Sequence, residues 1–221
     1  MGSDHEHHDY HKPGRDDHHD HSHVPSEMAL RVKALESILY EQKILDPAAV
    51  DAALEFLETE IGPHNGARVV ARAWCDEEFR QWLLKDGGAA VGSMGFNGWQ
   101  GGNVIVVENE DGLHNLVVCT LCSCYPVPLL GLPPAWYKSN SYRARSVREP
   151  RTVLSEFGLD LPETTRIRVW DSTADNRYLV VPQRPAGTEG WSQGQLAALV
   201  TRDSMIGAEI LSAPSDEKRS Q

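Results

Sequence analysis

Three cysteines, Cys119, Cys122 and Cys124, fall within six positions directly after the apolar run Leu116-Val117-Val118. Such a run reads as a buried strand. The backbone must therefore leave a sheet and turn at once, folding back around a point where three sulfurs can converge. The chain has 221 residues and four cysteines, and crowding of three of them is not a disulfide framework. It points to metal chemistry.

A lone C-x-x-C is shared by zinc knuckles and thiol oxidoreductases, and the third cysteine is what discriminates. If the amides of Ser123 and Cys124 lose their protons, two sulfurs and two nitrogens of Cys122-Ser123-Cys124 can lie in one plane around an ion. That is a tetragonal N,S set, unlike the tetrahedral thiolate site zinc prefers. Cys119 can supply a fifth ligand from below, leaving a sixth position for water or substrate. Amide deprotonation needs a strongly Lewis-acidic ion, which favours Co(III) or Fe(III). Serine at 123 keeps the N–H that proline would lack. The competing readings are a zinc site completed by a distant histidine such as His114, or a redox pair.

The formal net charge of -11 argues against nucleic-acid backbones, whose binding rests on Lys and Arg neutralising phosphates. No apolar run is long enough for a spanning helix and the N-terminus is too polar for a signal peptide, so no membrane partner and a cytoplasmic location are expected. Residues 1–25 hold eight of the ten histidines and almost no aliphatic side chains. A disordered leader is expected there, with metal capture or a solubilising tail as its roles.

Order is expected from the N-cap Ser26, through an amphipathic helix carrying Met28, Val32, Leu35 and Leu39. A second helix starts at Asp46-Pro47, a third runs through Ala67 to Trp74, and a fourth is capped by Asp76 and stopped by Gly87. Strands are expected at 104–107, 116–118, 166–170 and 178–181, a short helix at Arg151–Phe157, and a closing helix at Gln193–Arg202. The fold class is α+β: a helical arm over 26–86 that packs on its own chain or crosses a partner, a layered α/β metal-binding body over 87–212, and a flexible tail over 213–221. Cys75 reads as a small buried hydrophobe and His114 as a loop residue.

The segment Val118-Cys119-Thr120-Leu121-Cys122-Ser123-Cys124 resembles the V-C-(T/S)-L-C-S-C signature of the nitrile hydratase α subunit family. Leu130-Gly131-Leu132-Pro133-Pro134-Ala135-Trp136-Tyr137, Val169-Trp170-Asp171-Ser172, Arg184-Pro185-Ala186-Gly187-Thr188 and Leu199–Gly207 are similar to the same family, as is Arg31–Glu36. The resemblance implies a hydro-lyase that adds water to a nitrile to give an amide. It implies one metal per chain on the sulfurs of Cys119, Cys122 and Cys124 and the nitrogens of Ser123 and Cys124, with Cys122 oxidised to a sulfinic and Cys124 to a sulfenic acid. It also implies a β subunit whose arginines pair with those oxygens, and allows a cobalt-loading accessory protein.

Thr120 is the family cue for cobalt, with iron as the alternative. Cys122, Cys124 and Gln100 are the candidate catalytic residues, the oxygen on Cys124 as nucleophile or base and Gln100 as a hydrogen-bond partner of the substrate. Tyr125 and Val127 would line the pocket with Gln100, while Thr120, Arg143 and Asp171 would support the ligands from behind. Val127 stands where the family commonly has Trp. Related thiocyanate hydrolase γ subunits also have a non-aromatic residue there, so a subunit of that kind is one alternative function, and a non-enzymatic metal carrier is another.

Overall fold

The computed structural model describes residues 27–59, 61–96 and 103–213. The expected leader, Ser26 as the expected N-cap of the first helix, Gln100, and residues 214–221 of the expected tail lie outside the described residues. The chain divides into two compact units, Met1–Asp51 and Ala52–Gln221.

The first unit contains α1 (Glu27–Glu41) and the start of α2 (Pro47–Thr59). The Asp46 carboxylate accepts from the Ala48 N–H at 3.0 Å, so Asp46-Pro47 opens α2 as its sequence required. No residue of α1 is buried, and Met28, Val32 and Leu35 stand exposed.

In the second unit α3 (Pro63–Cys75), α4 (Glu77–Lys85) and α5 (Gly87–Gly92) precede β1 (Asn103–Glu108) and β2 (Leu113–Val118). The short helices α6 (Val127–Leu130), α7 (Ala135–Lys138), α8 (Asn140–Arg145) and α9 (Pro150–Glu156) follow. β3 (Arg166–Asp171), β4 (Asn176–Val181), α10 (Gln193–Ala197) and α11 (Arg202–Ile206) close it. β1 pairs with β4 and β2 with β3, both in parallel. Parallel neighbours require long crossovers, and the segment between β2 and β3 carries both the cysteine loop and α6 to α9. The result is an α+β body.

α3 and α4 read from sequence as part of the helical arm, yet they supply the fully buried Val69, Val70 and Leu83 to one core with Leu116, Val118, Leu129, Leu154, Leu179 and Met205. Each such side chain contributes roughly 1.5–3 kcal/mol by burial. Asp76 caps α4 as expected, accepting from the Phe79 N–H at 3.0 Å.

Gly87 does not stop α4. Asp86 ends α4 and caps α5, accepting from the Ala89 N–H at 3.0 Å. A Cβ at Gly87 would lie 2.5 Å from the Val104 carbonyl oxygen, so glycine is there to let α5 approach β1. The closing helix is also two helices. Thr201 accepts from the Ser204 N–H at 3.0 Å and starts α11 afresh, its hydroxyl competing with helix continuation. α6 to α8 are too short for periodicity to disclose.

His114 is a buried residue of β2 and not a loop residue. Its Nε2–H donates to the Gly207 carbonyl at 2.7 Å, while Nδ1 accepts from Asn109 Nδ2 at 3.4 Å, the arrangement of a neutral imidazole. Asn109 Oδ1 in turn accepts from the Asn115 N–H at 2.7 Å. Gly207 has φ 89°, and a Cβ there would overlap the Asn115 carbonyl.

Two expectations follow from this knot between β2 and α11. Gly207→Ala should destabilise the fold by at least about 2 kcal/mol in urea unfolding, combining a left-handed backbone with a backbone clash. Burial holds the His114 imidazole below its ordinary pKa of 6.5. The unfolded chain therefore takes up this proton first, and stability declines as pH falls from about 6.5, at up to about 1.4 kcal/mol per pH unit. A His114→Gln variant, less stable throughout, should lack that component of the pH profile.

Candidate metal centre

The parallel register of β2 and β3 sets Val118 beside Asp171, so both strands end together. The Ser172 N–H donates to the Val118 carbonyl at 2.7 Å, which closes the ladder. Beyond it the Asp171 carboxylate accepts from the Thr120 N–H at 2.9 Å and from Thr120 Oγ1 at 2.6 Å. Two bonds from one carboxylate hold the first turn of the cysteine loop against the end of β3.

The loop then curls. Cys119 is buried, Cys124 is half-buried and Cys122 is exposed. The sulfurs of Cys119 and Cys122 lie 3.4 Å apart and those of Cys122 and Cys124 3.2 Å apart, and all three fall within 4.8 Å of one another. The Cys122 N–H donates to the Cys119 sulfur at 3.3 Å. The amides of Ser123 and Cys124 lie in the same turn, and neither donates to a backbone carbonyl among the described residues.

Hydrogen bonds from the Cys124 and Cys119 side chains, reinforced by those two amides, lower the pKa of the Cys122 thiol. Burial, and then its hydrogen bond to Cys122 and the charges of Cys119 and Cys122, push Cys124 up to about 12. Three sulfurs this close cannot all carry charge without a cation between them. Three converging sulfurs, with two adjacent amide nitrogens in the same turn, fit a single transition-metal ion. The sulfur of Cys119, the buried one, would hold it from the protein side.

The rear of the loop is braced by aromatic residues. The Tyr137 hydroxyl donates to the Cys124 carbonyl at 3.0 Å, and burial pushes its phenol well above the ordinary range. Its ring packs against those of Tyr125 and Tyr142 at centroid distances of 5.3 and 5.7 Å. The Tyr142 hydroxyl donates to the Val117 carbonyl at 2.6 Å, tying α8 to β2. From α8, Arg143 donates through Nη1 to the Cys122 carbonyl at 3.1 Å and through Nη2 to Asn140 Oδ1 at 2.6 Å.

The structure thus brings together Cys119, Thr120, Cys122, Ser123, Cys124, Arg143 and Asp171. Tyr125 is buried and donates its hydroxyl to the Leu130 carbonyl at 3.0 Å, and Val127 is 7% exposed, so both belong to the core that follows the loop in sequence. Tyr137 was missing from the candidates read in the sequence. It lies thirteen positions from Cys124, at no spacing that chelation or periodicity would single out. His114 sits near the start of β2, at the end away from the loop, and is not among the grouped ligands. Cys75 is exposed at the C-terminal end of α3 instead of buried.

Residues 26–209 match the profile of the family described as nitrile hydratase, alpha chain. A nitrile hydratase subunit alpha from a Rhodococcus species is 58% identical over 190 residues, covering 86% of this chain and 96% of that protein. A cobalt-containing nitrile hydratase subunit alpha from Pseudonocardia thermophila is 54% identical, over 84% and 92% of the two chains. A thiocyanate hydrolase subunit gamma from Thiobacillus thioparus is 44% identical, over 83% and 78%. Among solved structures, an Fe-type nitrile hydratase variant from Comamonas testosteroni Ni1 superposes with a TM-score of 0.81 at 47% identity, covering 85% of this chain and 91% of that one. With a loop of this geometry and matches over most of its length, the chain belongs to the nitrile hydratase α-chain family.

Proposed function

We propose that the chain is the α subunit of a nitrile hydratase, converting a nitrile to its amide at one cobalt ion held in the Co(III) state by Cys119, Cys122, Cys124 and the amide nitrogens of Ser123 and Cys124. The observation that carries this reading is the convergence of three sulfurs within 4.8 Å in a turn whose Ser123 and Cys124 amides donate to no backbone carbonyl among the described residues. When bound, a trivalent ion there supplies Lewis acidity to a nitrile nitrogen or to water. Among the residues read in sequence, Thr120 favours cobalt over iron.

The protein's own groups then have separable tasks. Cys119 anchors from the buried side. Asp171 and Arg143 hold the loop at its two ends, through Thr120 and the Cys122 carbonyl, so that the ligand geometry does not depend on the ion alone. Cys122 as a sulfinate and Cys124 as a sulfenate would present oxygens on the open side, where Cys122 is exposed. Anions of that kind need guanidinium partners, which suits arginines of a β subunit covering this face. Gln100 would hydrogen-bond the substrate, and Tyr125 and Val127 shape the floor of its pocket, the small Val127 leaving room that an aromatic ring would fill. A cytoplasmic location suits exposed thiols kept from disulfide formation.

The likeness to a thiocyanate hydrolase γ subunit supports a second reading, in which the same centre hydrolyses thiocyanate. Among the described residues, no helix is long and apolar enough to cross a membrane.

Three outcomes are expected. The complex with its β subunit should contain about one cobalt per α chain, carry two added oxygens on Cys122 and one on Cys124 by peptide mass spectrometry, and produce amide from nitrile; zinc with unmodified thiols would overturn the reading, and turnover of thiocyanate alone would favour the second. Asp171→Asn should weaken metal retention about 10- to 100-fold in a chelator challenge. Thr120→Val keeps the backbone bond to Asp171 and should lose less than Asp171→Asn in the same assay.

A further inference from the structure

The second unit holds a pocket of about 540 Å³ lined by Arg68 and Arg72 of α3, Met94, and Gln193, Gly194 and Ala197 of α10. None of these residues belongs to the cysteine loop, and the nitrile chemistry leaves the pocket without a role. Its volume is that of a small-molecule site.

The two arginines differ from others in this acidic chain. Arg80 pairs with Glu77 and Glu108, Arg145 with Glu149 and Glu156, and Arg151 donates to the carbonyls of Leu161, Pro162 and Thr165. Arg68 has no hydrogen-bond acceptor among the described residues. Its guanidinium lies over the Phe96 ring, 5.1 Å from the centroid. Arg72 lies over Phe79 at 4.1 Å and is ion-paired through Nε with Asp76 Oδ2 at 3.8 Å, which leaves its two Nη groups without a hydrogen-bond acceptor among the described residues.

Stacking on an aromatic face orients a guanidinium but uses none of its N–H groups, which lie in the plane of the fork. Residues four apart on a helix are neighbours on its surface. α3 therefore presents two adjacent forks, positioned by rings, with their Nη donors unspent among the described residues, at a concave site where Gln193 adds an amide. Planar forks of this kind match the paired oxygens of phosphates and carboxylates.

We propose that this pocket binds a small anion bearing a phosphate or carboxylate group, held by Arg68 and Arg72. The assignment is independent of the nitrile reading. Gln193 gives it a neutral donor, and Met94 with Ala197 gives the remainder of the ligand an apolar contact.

The test is calorimetric titration of the full chain, complexed with its β subunit, using inorganic phosphate and succinate in separate arms at constant ionic strength. Saturable binding of one or both is expected, the tighter arm naming the group recognised, with affinity reduced about tenfold or more in an Arg68→Gln/Arg72→Gln variant of unchanged circular dichroism and metal content. If the double variant does not fold, Arg68→Gln alone serves, since Arg68 is exposed on α3. The proposal is overturned if neither anion saturates the protein, or if the variants bind as the parent does. It is overturned too if the variants instead weaken subunit association while the parent complex ignores both anions, which would assign the forks to an acidic segment of the partner.

Discussion

The parallel pairing of β2 with β3 is the constraint on which the rest of the site depends. Because its register places Val118 opposite Asp171, the two strands finish together, and the residue that ends β3 becomes the clamp for the loop that leaves β2. Shifting that register by one residue would turn the alternating side chains to opposite faces and take Asp171 away from Thr120. The long crossover that a parallel pair demands supplies the brace, since it carries Tyr137, Tyr142 and Arg143 back to the same loop. The opening of an α/β layer at the carboxyl ends of its parallel strands is where such folds place ligands in general.

The loop is asymmetric in burial, and its chemistry follows from that. Cys119 is enclosed, Cys124 is half-buried, and Cys122 faces outward beside Leu121, which is 83% exposed. One side of the sulfur cluster is thus held by backbone and aromatic contacts, while the other is open to a substrate or a covering chain. At the far end of β2 the buried His114, Asn109 and Asn115 form a second polar knot that ties α11 to the strand. β2 is therefore fastened at both ends, which gives the cysteine loop a rigid base.

Elements carrying a strong local signal were legible. Asp46-Pro47 and Asp76 start helices because their side chains satisfy backbone N–H groups within a turn, and the four strands fall where β-branched runs lie. The grouping of the three sulfurs was legible for the same reason, since Cys119, Cys122 and Cys124 lie within six positions and meet without help from distant residues. Gly87 and the segment around Thr201 misled. In each a local propensity gave way, one to the close approach of β1 and the other to a hydroxyl that caps a new helix. Cys75 misled because a single cysteine carries no periodic signal for the face it occupies.

By itself the sequence determined the three clustered sulfurs, their order and spacing, the helix starts and the strand-forming runs, since all of these act over a few bonds or a single turn. Only the tertiary structure decided that Asp171, fifty-one positions from Thr120, holds the loop, that Tyr137 and Arg143 support its carbonyls, and that Tyr125 and Val127 are buried in the core. Those placements follow from strand register and from helices too short to announce themselves, and both are settled by packing between residues far apart in the chain.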